Sequence, residues 1–216
     1  MDAILQTLST AILDGDKDTA EASVRSALEA GIDASRLLDE AMIPTMSEVG
    51  RLFEAGEYFV PEMLISARAM QGAMSLLRPL LVRQGVQAAG RAMIATVHGD
   101  LHDIGKNLVS LMLEGAGFEV HDLGVDVAPE EIARAVAEES PDILALSAML
   151  TTTMTGMKTV IDVLQAAGLR DKVRVIVGGA PLTEEFAQRI GADGYAPDAS
   201  RAVALANTLL ANKEVS

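Results

Sequence analysis

The 216-residue chain predicts two parts in series: an N-terminal four-helix bundle over residues 1–88, then an α/β domain over residues 89–216 built on a doubly wound, flavodoxin-like or Rossmann-like parallel sheet. Three observations carry this. Apolar residues recur at helical spacing through the first part. After residue 90, short β-rich runs alternate with helical stretches. Half the residues are hydrophobic, yet aromatics make up only 3% and Trp is absent. Ala, Leu, Val, Ile and Met must therefore fill the interior, which suits helices packed on helices or on a parallel sheet better than a β-sandwich.

The first helix is marked by Ile4, Leu5, Leu8, Ala11 and Ile12, and the second by Ala22, Val24, Ala27 and Leu28. Asp14-Gly15-Asp16 separates them and Gly31-Ile32-Asp33 closes the second, as turn residues should. A third helix is expected over 34–54, with a bend at Pro44 and an end at Gly56. A fourth starts near Pro61, a residue suited to a first helical turn. It runs through Met63, Leu64, Ala67, Met70 and Leu77. Short connections between four helices imply a small antiparallel bundle. Residues 84–90 form the best linker. Strands are expected at 92–97, 118–122, 143–147 and 173–177, with a short fifth near Gly194-Tyr195. The intervening helices are expected at 104–115, 129–138, 152–167, 183–190 and 200–210.

A formal net charge of −14 repels phosphates and anionic lipid, so neither nucleic acid nor a membrane is an expected partner. Without cysteine, disulfides, iron–sulfur clusters, thiolate zinc sites and cysteine nucleophiles are excluded. No apolar run is long enough to span a bilayer. The start Met1-Asp2-Ala3 lacks the basic segment of a signal peptide, so a cytoplasmic location is expected. Eleven Met residues suit core filling and adaptable surfaces alike.

In a doubly wound sheet, ligands bind beyond the carboxyl ends of the strands. Three loops leave those ends: 98–105, 147–153 and 178–181. The first places His98, Gly99, Asp100, His102, Asp103, Gly105 and Lys106 in one strand-to-helix connection. Histidine suits a borderline metal or proton transfer near neutral pH. Asp100 can accept a hydrogen bond from the far ring nitrogen of His102, fixing its tautomer. Gly99 and Gly105 allow close approach of a large ligand. The loop alone leaves open a zinc or iron hydrolase centre built from His98, Asp100, His102 and Asp103. It also leaves open an acid–base pair, or a turn capped by Asp103.

The combination Asp100-x-His102-x-x-Gly105, then Ser147-x-Met149, then Gly178-Gly179 resembles the signature of cobalamin-binding domains. Met149 stands where that family usually has Leu. Residues 99–107, 122–127 and Pro129 are similar to the methyltransferase-type members. Pro44, Met46, Val49, Gly50 and residues 53–63 are similar to the helical cap that precedes the corrinoid domain of methionine synthase and of small corrinoid proteins. Length and two-part architecture resemble the free-standing corrinoid proteins of methylamine, methanol or methoxyl systems.

The resemblance implies cobalamin as cofactor, bound base-off, with His102 the axial ligand to cobalt and Asp100 its hydrogen-bond partner. It carries that relay to a hydroxyl at Thr153. Asp103, Ile104, Gly105, Ser147, Met149, Thr151, Gly178 and Gly179 become cofactor-binding candidates; the glycines leave room for the nucleotide tail, and Tyr195 with residues 196–198, toward its far end, is expected to be structural first. Phe59, Val60 and Met63 become candidates for the upper face of the corrin, against an alternative as ordinary bundle core. His98 receives no ligand role, and no residue of the chain is implied to be catalytic.

The resemblance further implies a methyl shuttle, itself not a complete enzyme. It accepts a methyl group on Co(I) from a substrate-specific methyltransferase and donates it from methyl-Co(III) to a second methyltransferase that delivers it to a thiol or tetrahydrofolate. A reductive activation protein is a further implied partner. The alternatives are the cobalamin-binding subunit of an adenosylcobalamin-dependent isomerase, or a cobalamin-sensing regulator.

Overall fold

Capping side chains and apolar periodicity set the helices of the first part. Helix α1 (Ala3–Leu13) buries Leu5, Leu8, Ala11 and Ile12. Helix α2 (Lys17–Glu29) starts at Asp16, whose carboxylate accepts the Thr19 N–H at 3.0 Å, so one otherwise orphaned amide is satisfied. Asp33 does the same for Ser35 at the start of α3 (Ala34–Leu37), at 2.9 Å. Helix α4 (Ile43–Glu54) and helix α5 (Val60–Gln84) complete this part. The Glu62 carboxylate accepts the Phe59 N–H at 3.0 Å, closing the α5 N-terminus. Left-handed Gly85 closes its other end.

The third helix departs from the expected single bent rod. A π-helical turn, Leu38–Met42, lies between α3 and α4, directly before Pro44. Pro44 has no N–H to return to the preceding turn, and the wider turn absorbs one extra residue there. The Thr45 hydroxyl donates to the Ala41 carbonyl at 2.7 Å within it.

The second part alternates β1 (Arg91–Thr96), α6 (Ile104–Gly115), β2 (Glu119–Asp122), α7 (Pro129–Glu139), β3 (Ile143–Ser147) and α8 (Gly156–Ala166). A 3₁₀ turn, β4 (Arg174–Gly178), α9 (Glu184–Ile190), β5 (Gly194–Ala196) and α10 (Ala199–Lys213) follow. All five strands are parallel in the order β2-β1-β3-β4-β5, so the expected α/β class and doubly wound sheet are what the structure has. Met93, Ala95, Leu144, Leu146, Val175 and Val177 pack against α7, α8 and α9. Ala92, Ile94, Ile143, Ala145 and Ile176, alternating with them, are buried as well. Burial on both faces explains why β3 reads as an unbroken apolar run.

One helix begins later than its sequence suggests. Residues 152–155 are turns, held by successive i to i+3 bonds such as Thr153 N–H to the Leu150 carbonyl at 3.1 Å and Gly156 N–H to the Thr153 carbonyl at 2.8 Å. Helix α8 starts only at Gly156.

The computed structural model describes residues 3–86 and 88–213. Met1, Asp2 and Gln87 of the expected linker lie outside the described residues. The chain forms two compact units: one comprises the chain up to Ala89 with Glu114–Gly117, the other Gly90–Leu113 and the chain from Phe118 onward. Among the described residues no helix is long and apolar enough to cross a membrane.

Candidate functional site

The strand order reverses direction between β1 and β3, which is where a doubly wound sheet opens a crevice. Thr96, Ser147, Gly178 and Ala196 stand in register across β1, β3, β4 and β5, so the loops that follow leave from one edge.

Asp100 lies at the centre of that edge and is fully buried. One carboxylate oxygen faces His102 Nδ1 at 2.7 Å and accepts the His102 N–H at 3.1 Å. The other accepts the Thr153 hydroxyl at 2.6 Å and the Met149 N–H at 2.8 Å. Burial alone disfavours the charged form. The bonds from Thr153, Met149 and His102 outweigh it and hold the Asp100 carboxyl well below the usual carboxylate range. An ionised Asp100 only accepts, so His102 Nδ1 is its donor, and in the neutral imidazole Nε2 then carries the ring's lone pair. The His102 side chain is 55% exposed. The Thr96 hydroxyl donates to the His102 carbonyl at 3.0 Å, tying the residue down from its backbone as well.

One exposed imidazole beside open space fits a large ligand whose metal would take a single protein nitrogen. A Cβ built on Gly105 meets nothing within 4 Å, so the space above it is open. Leu101 beside His102 and Ile104 at the start of α6, 71% and 77% exposed, with the partly exposed Met149 and Leu150 after β3, put apolar surface beyond the carboxyl ends of β1 and β3. The His98, Asp100, His102 and Asp103 set does not converge as a hydrolase centre would. His98 Nδ1 pairs with Asp126 at 2.8 Å, both Asp100 oxygens are engaged, and the Asp103 carboxylate accepts from Asn107 Nδ2 at 3.2 Å. Among the described residues no three His, Cys, Asp or Glu side chains are grouped to hold a metal ion.

Gly178 and Gly179 stand at the end of β4, and their reason is local. At Gly179, with φ of 134°, a Cβ would lie 1.9 Å from the Ala148 carbonyl oxygen; at Gly178 it would lie 3.0 Å from that of Ala196. The chain's own backbone therefore demands glycine at 179, whatever binds beside it. Ser147 is half-buried at the end of β3, and Thr151 is exposed on the turn that follows. In the helical unit, Phe59 and Val60 are exposed at the start of α5, whereas Met63, one turn on, is fully buried. Tyr195 packs against the sheet core. His121 pairs with Glu139 at 2.7 Å.

Sequence reasoning placed Lys106 in the loop and 122–127 in the resemblance but gave Asp126, Lys106 and Asp122 no role. Asp126 accepts the Gly99 N–H at 2.6 Å and sends its own N–H to the Asp100 carbonyl at 3.0 Å. Lys106 is buried and paired to Asp122. The 122–127 stretch was a visible signal; the partners of its acids were not.

Residues 90–204 match the protein family described as B12 binding domain, and residues 4–78 match a second family of the same description. The dimethylamine corrinoid protein of Methanosarcina barkeri is 43% identical over 210 residues, covering 96% of this chain and 98% of that protein. A cobalamin-binding protein from Desulfitobacterium hafniense, known by crystal structure, shares 35% identity at a TM-score of 0.80, over 95% of this chain and 98% of that one. A chain of the methanol:cobalamin methyltransferase complex from Methanosarcina barkeri superposes with a TM-score of 0.86 at 32% identity, over 97% of this chain and 80% of that one.

Proposed function

This chain belongs to the family of B12-binding corrinoid proteins, and we propose that within it the chain shuttles a methyl group on a bound corrinoid from a substrate-specific methyltransferase to a second one. The second delivers the group to a thiol or to tetrahydrofolate. The observation that carries this is the buried Asp100 fixing His102 Nδ1, which leaves Nε2 as a lone-pair donor at the carboxyl edge of the sheet. When bound, the corrinoid supplies a cobalt ion that holds the methyl group and gives it up.

The chain's own residues do the rest. His102 Nε2 would hold the cobalt. Asp100 fixes the tautomer and the orientation of the ring, while Thr153 and the Met149 N–H hold Asp100 in place. Gly105 leaves the approach open, and Leu101, Ile104, Met149 and Leu150 offer apolar surface to a macrocycle. In the helical unit this reading assigns Phe59 and Val60 to the cofactor; Met63, one turn further along α5, is buried. The likeness along nearly the whole chain to a dimethylamine corrinoid protein, and to a chain of a methanol:cobalamin methyltransferase complex, favours a methyltransferase system over an isomerase subunit or a sensor.

The relatives' names point to dimethylamine and methanol as donors in their systems, so small C1 compounds are the donor class here, dimethylamine first. A reductive activation protein completes the expected set of partners, and the net charge of −14 suits basic docking patches on them.

The test is twofold. The chain should bind hydroxocobalamin with a visible spectrum that changes on His102→Ala. When loaded, it should take up methyl groups from a cognate methyltransferase supplied with dimethylamine, monomethylamine, methanol or aryl methyl ethers. Binding without methylation by any of them would overturn the shuttle. No binding would overturn the whole reading.

A further inference from the structure

The loop that carries His102 is gripped at both ends by one segment, residues 122–126, which leaves β2. Three backbone bonds lay that segment alongside β1. The Leu123 N–H reaches the Ile94 carbonyl at 2.9 Å, the Thr96 N–H reaches the Gly124 carbonyl at 3.0 Å, and the Val127 N–H returns to the Thr96 carbonyl at 3.1 Å. Between Gly124 and Val127 the chain bulges, and Asp126 sits at its tip with φ of 54°, a left-handed conformation uncommon outside glycine. That conformation is what turns its N–H onto the Asp100 carbonyl at 3.0 Å. Its carboxylate meanwhile accepts the Gly99 N–H at 2.6 Å and pairs with His98 Nδ1 at 2.8 Å. The start of the His102 loop is thus held on three atoms by one residue.

The other end of the loop runs into α6, and there Lys106 breaks a local rule. A cation in the first turn of a helix faces the positive end of the helix dipole. Lys106 is also almost wholly buried, which a lone ammonium does not tolerate. It is held there by Asp122 and by Asn107 Oδ1 at 2.8 Å, and Asn107 Nδ2 reaches back to Asp103, the residue after His102, at 3.2 Å. Asp122 in turn accepts the Gly124 N–H at 2.8 Å. Local rules broken together in one place point to function.

We propose that residues 122–126 are a positioning clamp for His102, gripping its loop at the start through Asp126 and at the end through the Lys106–Asp122 pair. The clamp touches no ligand. It works by holding Asp100 and the first turn of α6 where His102 can present Nε2, and it rests on the reading of His102 as axial ligand.

The experiment uses the full chain and three variants at Asp126. Asp126→Gly accepts the left-handed backbone but loses the carboxylate, Asp126→Asn keeps an acceptor, and Asp126→Ala loses both. Two readouts are taken: amide hydrogen exchange at Gly99 and His102 without cofactor, and the fraction of bound hydroxocobalamin ligated by protein imidazole, together with its Kd. Asp126→Gly should fold like the wild type, exchange Gly99 and His102 faster, and bind about tenfold more weakly, at the low end of the range for groups behind a metal ligand. Asp126→Asn should restore most of both. Lys106→Met should loosen His102 from the α6 side with the same signature. Wild-type exchange and ligation in Asp126→Gly, with ligation lost in His102→Ala, would overturn the clamp and leave the ligand reading intact. Ligation unchanged in His102→Ala would overturn that reading itself, and the clamp's purpose with it.

Discussion

Thr153→Val removes one hydroxyl and keeps the shape of the side chain, which isolates the bond to Asp100. In the wild type that hydroxyl donates at 2.6 Å to a fully buried carboxylate, and the same oxygen lies 3.1 Å from the Leu150 carbonyl. Having one proton, it serves the shorter contact, to the charged acceptor. A hydrogen bond to a charged group contributes about 1.5–3 kcal/mol net, and burial leaves the carboxylate no water to replace it. The variant should therefore lose about 2 kcal/mol at neutral pH, or about 4–8 °C in Tm for a chain of this size. The loss should depend on pH with a definite sign. Asp100 is depressed in the folded state, so its contribution is present above the unfolded value of about 4 and is lost as pH falls toward the folded one. The unfolded value is common to both proteins, so the gap between them should hold down to about pH 4 and close only as pH falls on toward the folded value. Urea unfolding followed by circular dichroism, from pH 8 down to the acid limit of folding, measures this. Equal stability at pH 7, or a gap that widens on acidification, would refute the account of Asp100.

Gly105→Ala separates fold from ligand. Its Cβ meets nothing, so stability should hold or rise by about 0.5–1 kcal/mol, while hydroxocobalamin affinity should fall at least tenfold by titration, as a methyl group enters the open space. Unchanged affinity would show that this space is not used. Gly179→Ala should do the opposite and damage the fold itself. With a Cβ 1.9 Å from the Ala148 carbonyl, a loss above about 3 kcal/mol is expected, read as a lowered Tm with or without cofactor.

The central strands β1, β3 and β4 were legible because they are buried on both faces, so β3 shows as Ile143-Leu144-Ala145-Leu146 with no polar interruption. The Asp100–His102 pair was legible because both partners lie within one short loop. Residues 152–155 read as helix because their apolar spacing continues into α8, whereas the Thr153 hydroxyl is committed to Asp100, 53 positions away in sequence, and the chain turns to deliver it. The roles of Asp126 and Lys106 were not legible for the same reason. They depend on β2 lying beside β1, a consequence of the strand order that no local pattern announces. Met63 carried two readings, corrin contact and bundle core; helical spacing accounts for its burial, while exposed Phe59 and Val60 at the same helix end leave the question of contact to experiment.

The central claim is that His102 Nε2 is the axial ligand of the corrinoid's cobalt. Electron paramagnetic resonance of the cobalt(II) form, bound to protein grown with ¹⁵N-labelled histidine, tests it most directly. The superhyperfine pattern from one axial nitrogen should change from a triplet to a doublet on labelling and vanish in His102→Ala. A triplet that survives the label would place a nitrogen of the corrinoid's own base on cobalt and contradict the account.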